Sequence, residues 1–299
     1  MLDVVIIGSG PAGITAAIYA KRANLNVAVV EKEYLGTGQI ADSSRVDNYP
    51  GIPGIDGYSL GEKFREHAES LGVEFTETQV LSLGQKDGIW IIGCDEDITL
   101  ESKAVIYATG CKNRPLGVPG EEKYYGRGLS FCAVCDGAFY KGKRVAVIGG
   151  GDTALDDAMY LSDICEKVYL VHRREFFRGS ASTLEKLKQK ENVEIIVNVR
   201  VEEITGDKKI DGIILDNKTK LNISGLFAAV GMIPQTELLK EFGVLDGSNY
   251  VKASEDTKTT VNGLFAAGDV RTKQLRQVVT AAADGANAIY SVMEYLRNI

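Results

Sequence analysis

The sequence twice runs a four-residue apolar segment into a glycine-rich turn, then into an apolar-periodic stretch and a second short apolar segment. Val4-Val5-Ile6-Ile7 leads into Gly8-Ser9-Gly10-Pro11-Ala12-Gly13, a periodic stretch from about Ile14 to Arg22, and Val27 to Val30 closing on Glu31. Val145-Ala146-Val147-Ile148 leads into Gly149-Gly150-Gly151-Asp152-Thr153-Ala154, a periodic stretch to about Leu161, and Val168 to Val171 closing on His172-Arg173-Arg174. Each unit reads as strand, glycine turn, helix, strand. That is the βαβ half of a dinucleotide-binding sheet, so the predicted class is α/β with two Rossmann-like domains.

A second pair of echoes fixes how the two domains share the chain. Gly225-Leu226-Phe227-Ala228-Ala229 and Gly263-Leu264-Phe265-Ala266-Ala267 each read as an apolar strand running out into glycine, at Gly231 and Gly268. Each follows its own glycine unit, so one belongs to each domain. Chain order then predicts a nested plan, with a split first domain of 1–114 and 242–299 and an inserted domain of 115–241. Pro115 to Gly120 and Gly231 to Pro234 read as the two hinge linkers.

Bulk properties narrow the function. At 299 residues and 44% hydrophobic, the chain can bury two cores. A net charge of -7 argues against nucleic acid or an anionic membrane as partner. Only His67 and His172 are present, which excludes most histidine-rich metal sites. Asp3 stands where a signal peptide would be positive, and no long apolar run spans a membrane. Five cysteines are too few for a secreted disulfide scaffold, so a cytoplasmic protein is expected.

The glycine turns carry the ligand chemistry. Their glycines let the backbone approach a pyrophosphate, which a helix N-terminus stabilises. Behind the first turn, Glu31 lies eighteen positions beyond Gly13 and suits a ribose diol. Behind the second comes His172-Arg173-Arg174, with Arg178 following. Guanidinium groups grip a 2′-phosphate that an acid would repel, so this site should take NADPH over NADH. The competing readings are a glycine turn in an unrelated α/β fold and a solvated basic turn. Two sites need two ligands, and FAD is the usual partner of a nicotinamide. Ala108-Thr109-Gly110 and Gly268-Asp269 fall at strand ends, where such ligands collect. Asp269 reads equally as a ribityl hydrogen-bond acceptor or as a helix N-cap.

Cys132-Ala133-Val134-Cys135 is the chemical centre, because a two-residue spacer permits a small disulfide ring that exchanges readily. The alternative is half a zinc site, but no second Cys-x-x-Cys or Cys-x-x-His exists. Cys94, Cys111 and Cys165 read as ordinary buried side chains. Exchange needs a proton donor, and Asp136 stands next to Cys135; it reads equally as a turn former before Gly137. Cys135 precedes Gly149 by fourteen residues, so disulfide and NADPH site share the inserted domain. Both must meet one flavin closely, which predicts that this domain swings between two poses.

Together these residues resemble the low-molecular-weight NADPH-dependent thioredoxin reductases, from Val4 to about Tyr295. Most specific is Cys-Ala-Val-Cys-Asp-Gly placed before Gly-Gly-Gly-Asp-Thr-Ala and His-Arg-Arg-x-x-x-Arg. The resemblance implies FAD held by Gly8 to Gly13, Glu31, Gln39 beside Gly38, Asn48, Asp269, and Arg276-Gln277-Val278. It implies 2′-phosphate contacts from Arg173, Arg174 and Arg178, and Asp136 as proton donor. Cys135 would be the sulfur nearest the flavin and Cys132 the thiol that attacks thioredoxin. It further implies a homodimer and rotation of the inserted domain. Gly36-Thr37-Gly38-Gln39 departs from the family's more compact glycine pair, and Asp152 stands where asparagine is also common.

Rival readings are a flavin reductase serving a peroxidase partner or another carrier, a ferredoxin-linked relative, and a redox-sensing flavoprotein without turnover. A ferredoxin-linked enzyme would not need the arginine cluster.

Overall fold

The computed structural model describes residues 1–32, 37–43 and 45–299, apart from the side chain of Asp42. It divides into two compact units, Met1–Lys112 with Ile233–Ile299, and Asn113–Met232.

The outer unit begins with β1 (Leu2–Ile7), α1 (Pro11–Arg22), β2 (Val27–Glu31), α2 (Gly57–Ser70) and β3 (Glu74–Glu77). A meander follows of β4 (Val80–Lys86), β5 (Ile89–Cys94) and β6 (Thr99–Tyr107), and β7 (Cys111–Asn113) leads out. The strands order as β3-β2-β1-β6-β5-β4. The first four run parallel, while β4 and β5 are antiparallel. Val4, Val5, Ile6 and Ile7 are all buried, as expected of a parallel strand covered on both faces. Alternation sends Val4 and Ile6 to the core formed with α1, and Val5 and Ile7 to the core around Trp90. Burying each such side chain contributes about 1.5–3 kcal/mol.

The inserted unit comprises β8 (Leu129–Ser130), the one-turn α3 (Ala133–Asp136), β9 (Arg144–Gly149), α4 (Asp152–Ser162), β10 (Lys167–His172), α5 (Ala181–Lys188) and β11 (Val193–Val197). Then come β12 (Val201–Thr205), β13 (Gly212–Leu215), β14 (Lys220–Asn222), β15 (Gly225–Ala229) and, at the exit, β16 (Met232–Pro234). Its main sheet is parallel throughout, in the order β11-β10-β9-β15-β8. One face packs on α4 through Val145, Val147 and Leu155, and the other on β12–β14 through Ala146, Ile213 and Leu221.

The chain returns with β17 (Leu264–Ala266), parallel to the C-terminal half of β6, and ends in α6 (Val278–Leu296). α6 lies against α1, and Gly285 makes this possible: a Cβ there would stand 2.2 Å from the Ala12 carbonyl oxygen. Among the described residues no helix is long and apolar enough to cross a membrane.

β17 and β15 fall in the outer and inserted units respectively, one per nucleotide sheet. The second crossover lies at Met232, ahead of the boundary at 241 that the sequence suggested. Leu238 and Leu239 explain the difference, because both pack in the outer core around Trp90.

Candidate functional site

At the first glycine turn, Gly8 takes φ +102°, and a Cβ there would stand 2.6 Å from the Ala108 carbonyl oxygen. Gly13 is tighter still, since its Cβ would sit 1.9 Å from the Gly8 oxygen. Helix and strand can meet here only because both residues are glycine. Gly10 caps α1 with extended backbone and Pro11 occupies the first helical position, where its missing N–H costs nothing. Ser9 orients the strand-end acid: its N–H and its hydroxyl donate to Glu31 Oε2 at 2.8 and 2.9 Å.

Three further strand ends converge on this turn. Ala108 donates to the Ile7 carbonyl, Thr109 Oγ1 donates to Gln235 O at 2.7 Å, and the Gly110 oxygen accepts from the Gln235 N–H. Gly268, at φ +80°, lies against Ala12, which a Cβ would approach to 2.9 Å. Gly38, also left-handed at φ +75°, lies against Gly10. Asn48 and Gln277 are joined by a 2.9 Å hydrogen bond, and Gln277 caps α6 just before Val278. Gln39 is exposed in the 3₁₀ turn that starts at Gly38; Gly36 lies outside the described residues.

Asp269 lies in the 3₁₀ turn Gly268–Val270 and does not cap α6, so the N-cap reading is set aside. Its Oδ1 is buried without a hydrogen-bond partner. Burial pushes its carboxyl up to about 6, against the pull of Lys273 and Arg276. Its carbonyl accepts from Cys111 Sγ and from Arg276 Nε, and Arg276 lies over the Tyr250 ring. A buried carboxylate oxygen without a donor fits a ligand hydroxyl such as a ribityl chain offers.

Behind Asp269 stands an ion cluster that no sequence motif announces. Asp284 of α6 accepts from the Gly268 N–H at 2.8 Å, from both Arg271 Nε and Nη2, and from Lys273 Nζ. These three side chains are at most 6% exposed. Arg271 and Lys273 precede α6 while Asp284 lies within it, so the three share no one element whose periodicity could reveal the cluster.

The second turn follows the same plan with other residues. A Cβ on Gly149 would lie 2.4 Å from the Ala229 oxygen and 2.7 Å from the Ala154 Cβ. Gly151 caps α4 with open space at its Cβ, Asp152 accepts the Ser180 N–H, and Thr153 is exposed. His172 packs its ring on Gly150 and on Phe177. Burial, together with Arg173, Arg174 and Arg178, lowers its pKa against a hydrogen bond to the Phe176 backbone. It is therefore neutral at pH 7, with its buried Nε2 unpartnered. Arg173, Arg174 and Arg178 are exposed, and no carboxylate pairs with them among the described residues. Three guanidiniums without an acid partner fit a phosphate.

The cysteine pair lies in the same unit. Cys132 and Cys135 are joined by a disulfide, and both are partly exposed. Cys132 caps α3, its Sγ accepting the Cys135 N–H at 3.2 Å. Asp136 closes that turn, and burial raises its carboxyl while a hydrogen bond from Ser130 opposes the rise. Ser130 Oγ donates to Asp136 Oδ2 at 2.6 Å and accepts the Cys132 N–H at 3.1 Å. Ser130 was not legible, because a serine two residues before a cysteine carries no pattern. Cys94, Cys111 and Cys165 are free and buried, and burial pushes the Cys111 and Cys165 thiols up to about 11.

A family model described as pyridine nucleotide-disulphide oxidoreductase matches residues 2–285. The chain is 39% identical to a 34.2 kDa protein in the rubredoxin operon of Clostridium pasteurianum, covering 99% of this chain and 97% of that one. It is 40% identical to a thioredoxin reductase of Helicobacter pylori over the whole of both chains. The crystal structure of thioredoxin reductase from Streptococcus pyogenes superposes with a TM-score of 0.94 at 40% identity, covering 100% of this chain and 99% of that one.

Proposed function

The chain belongs to the pyridine nucleotide-disulphide oxidoreductase family, among its thioredoxin reductases, and from that premise we propose an electron path from NADPH through FAD to Cys132–Cys135 and on to thioredoxin. The observation that carries this reading is the disulfide with a carboxyl raised by burial on its own turn, in the unit that bears the arginine-lined glycine turn.

Each cofactor has residues suited to it. For FAD, Gly8 to Gly13 would receive the pyrophosphate and Glu31 a ribose. Asp269 Oδ1 would accept a ribityl hydroxyl, and Arg276, Gln277 and Asn48 would border the ring end. For NADPH, Gly149 to Ala154 would receive the pyrophosphate, with His172 beneath and Arg173, Arg174 and Arg178 on the 2′-phosphate. When bound, the nicotinamide supplies a hydride that the flavin accepts and passes on as an electron pair.

The protein's own chemistry is thiol–disulfide exchange. Opening the Cys132–Cys135 bond consumes that electron pair and leaves two sulfurs to be protonated or held as thiolates. The Cys132 thiolate then attacks the partner's disulfide, forming a mixed disulfide as the partner's own S–S bond breaks. Asp136 delivers a proton to the departing sulfur. Cys135 attacks next, re-forming Cys132–Cys135 and releasing the partner's second sulfur. Nicotinamide site and disulfide share one unit, so the reading has them face the flavin in turn, in a homodimer.

A coupled assay with thioredoxin, run side by side with NADPH and NADH, tests the proposal. Sustained turnover strongly favouring NADPH supports it. Bound flavin without turnover of thioredoxin would point to another carrier or to a sensor.

A further inference from the structure

We infer that Ser130 is a positioning residue for disulfide exchange, its hydroxyl fixing the Asp136 carboxyl against the cysteine turn and leaving only Oδ1 free to carry the proton. The inference rests on the reading of Asp136 as the proton donor and adds how that donor is held.

The geometry gives the hydroxyl one arrangement. Ser130 is 6% exposed and ends β8, whose register against β15 pairs it with Phe227. Its backbone is therefore held by the sheet and not by the cysteine loop. Its oxygen takes the Cys132 N–H at 3.1 Å, which turns the single hydroxyl proton elsewhere. Two acceptors are in reach: Asp136 Oδ2 at 2.6 Å and the Cys132 carbonyl at 3.4 Å. The shorter, charge-assisted bond wins. A donated proton on Oδ2 leaves a proton taken up by Asp136 to sit on Oδ1.

This arrangement ties three things together. The sheet fixes Ser130, Ser130 fixes one carboxylate oxygen, and the same hydroxyl receives the N–H of the attacking cysteine. A donor to the ionised carboxylate also offsets the effect of burial, so that the group releases its proton more readily. The titratable side chains on the elements packed against α3 are Tyr140 in the next turn and Asp152, Asp156, Asp157 and Tyr160 on α4. Of these, Tyr140 feels the Asp136 charge, which adds to burial in raising its phenol.

The test compares Ser130→Ala, Ser130→Thr and Asp136→Asn in the FAD-loaded enzyme. Two readouts are followed from pH 5 to 9: kcat/KM for thioredoxin, and iodoacetamide labelling of the reduced cysteine pair. Ser130→Ala is expected to move the Asp136 limb upward by about one to two pH units in both, the size of one hydrogen bond to a charged group. KM for NADPH stays unchanged, and Ser130→Thr restores the profile. If Ser130→Ala proves unstable, Ser130→Cys keeps the shape with a weaker donor and gives a smaller shift in the same direction. A uniform loss of rate without a shift, or a profile that overlays the parent, overturns the role of Ser130 while Asp136→Asn still abolishes the limb. A limb that survives Asp136→Asn removes the underlying reading of Asp136 instead, and Ser130 falls with it.

Discussion

At the first glycine turn the strand ends in Glu31, held by the N–H and hydroxyl of Ser9; at the second it ends in neutral His172, and the arginines behind it have no acid partner among the described residues. The backbones are close copies. Each puts a glycine under a neighbouring strand's carbonyl, Gly8 against Ala108 and Gly149 against Ala229. They differ in how the last strand of each sheet is finished. In the outer unit β17 runs into Gly268, whose N–H is tied to the Arg271–Asp284–Lys273 cluster. In the inserted unit β15 runs into Val230 and Gly231 and so to the exit strand. On the proposed reading the backbone motif would fix only where a dinucleotide lies. Strand-end side chains would select which one, and the outer unit adds an ionic brace beside the buried carboxylate that would hold its ligand.

The largest test of that difference removes the brace. Asp284→Ala takes the buried carboxylate from Arg271 and Lys273, leaving Arg271 the exposed Glu255 at 3.3 Å, and losing one partner of a buried pair typically costs about 3–5 kcal/mol. Urea unfolding followed by Trp90, the single tryptophan and part of the outer core, should report that loss. Hydrogen exchange in β9 and β10 should stay put. An equal loss of protection there would mean that the two units unfold as one.

A middle-sized effect probes selection at the strand ends. Arg173→Ala should lower kcat/KM for NADPH ten- to a hundredfold, from about 1.5–3 kcal/mol for a charged hydrogen bond. Turnover with NADH should barely change. Equal losses with both nucleotides would remove the distinction drawn between the two turns.

The smallest effect concerns pH, because each unit holds a carboxyl raised well above its usual range by burial: Asp269 to about 6 and Asp157 to about 7. Both lie above the usual 3.8, so in the folded state these groups keep protons that the unfolded chain has lost. Stability therefore falls as pH rises through the window from about 4 to 7. Asp157→Asn should stabilise the protein at pH 8 by on the order of 1 kcal/mol, since an amide is easier to bury than an anion. The gain should fade below pH 7 and vanish near pH 4, as thermal melts across that range would show. In flavin-free protein Asp269→Asn should do the same, but it should also weaken FAD binding, which fluorescence titration reads; Asp157→Asn should leave FAD binding alone. Matching behaviour at both sites would mean that Asp269 holds nothing.

What was legible in the sequence was whatever is local and periodic. Runs such as Val4 to Ile7, buried on both faces, announce parallel strands, and their glycine turns announce a helix approached closely. Cys132 and Cys135 announce themselves by spacing. Contacts set by tertiary closure were not legible. Ser130 meets Asp136 because β8 docks on β15, and nothing near Ser130 in the chain encodes that docking. Asp284 meets Arg271 only once α6 folds back over α1. The exit crossover is set in a similar way: Leu238 and Leu239 belong to the outer core because of what Trp90 offers them, not because of their own pattern.

Strands β7 and β16 pair with each other where the chain departs and comes back. The ladder extends from Gln235 on Gly110 at one end to Arg114 on Gly231 at the other. Seen from the outer sheet, everything from Asn113 to Met232 is the tip of a hairpin. Closing that hairpin joins residues far apart in the chain, yet it costs little more than a shorter loop would, because loop cost grows only logarithmically. A cassette with abutting ends can be gained, lost or exchanged at one splice, without re-threading the strands that stay behind.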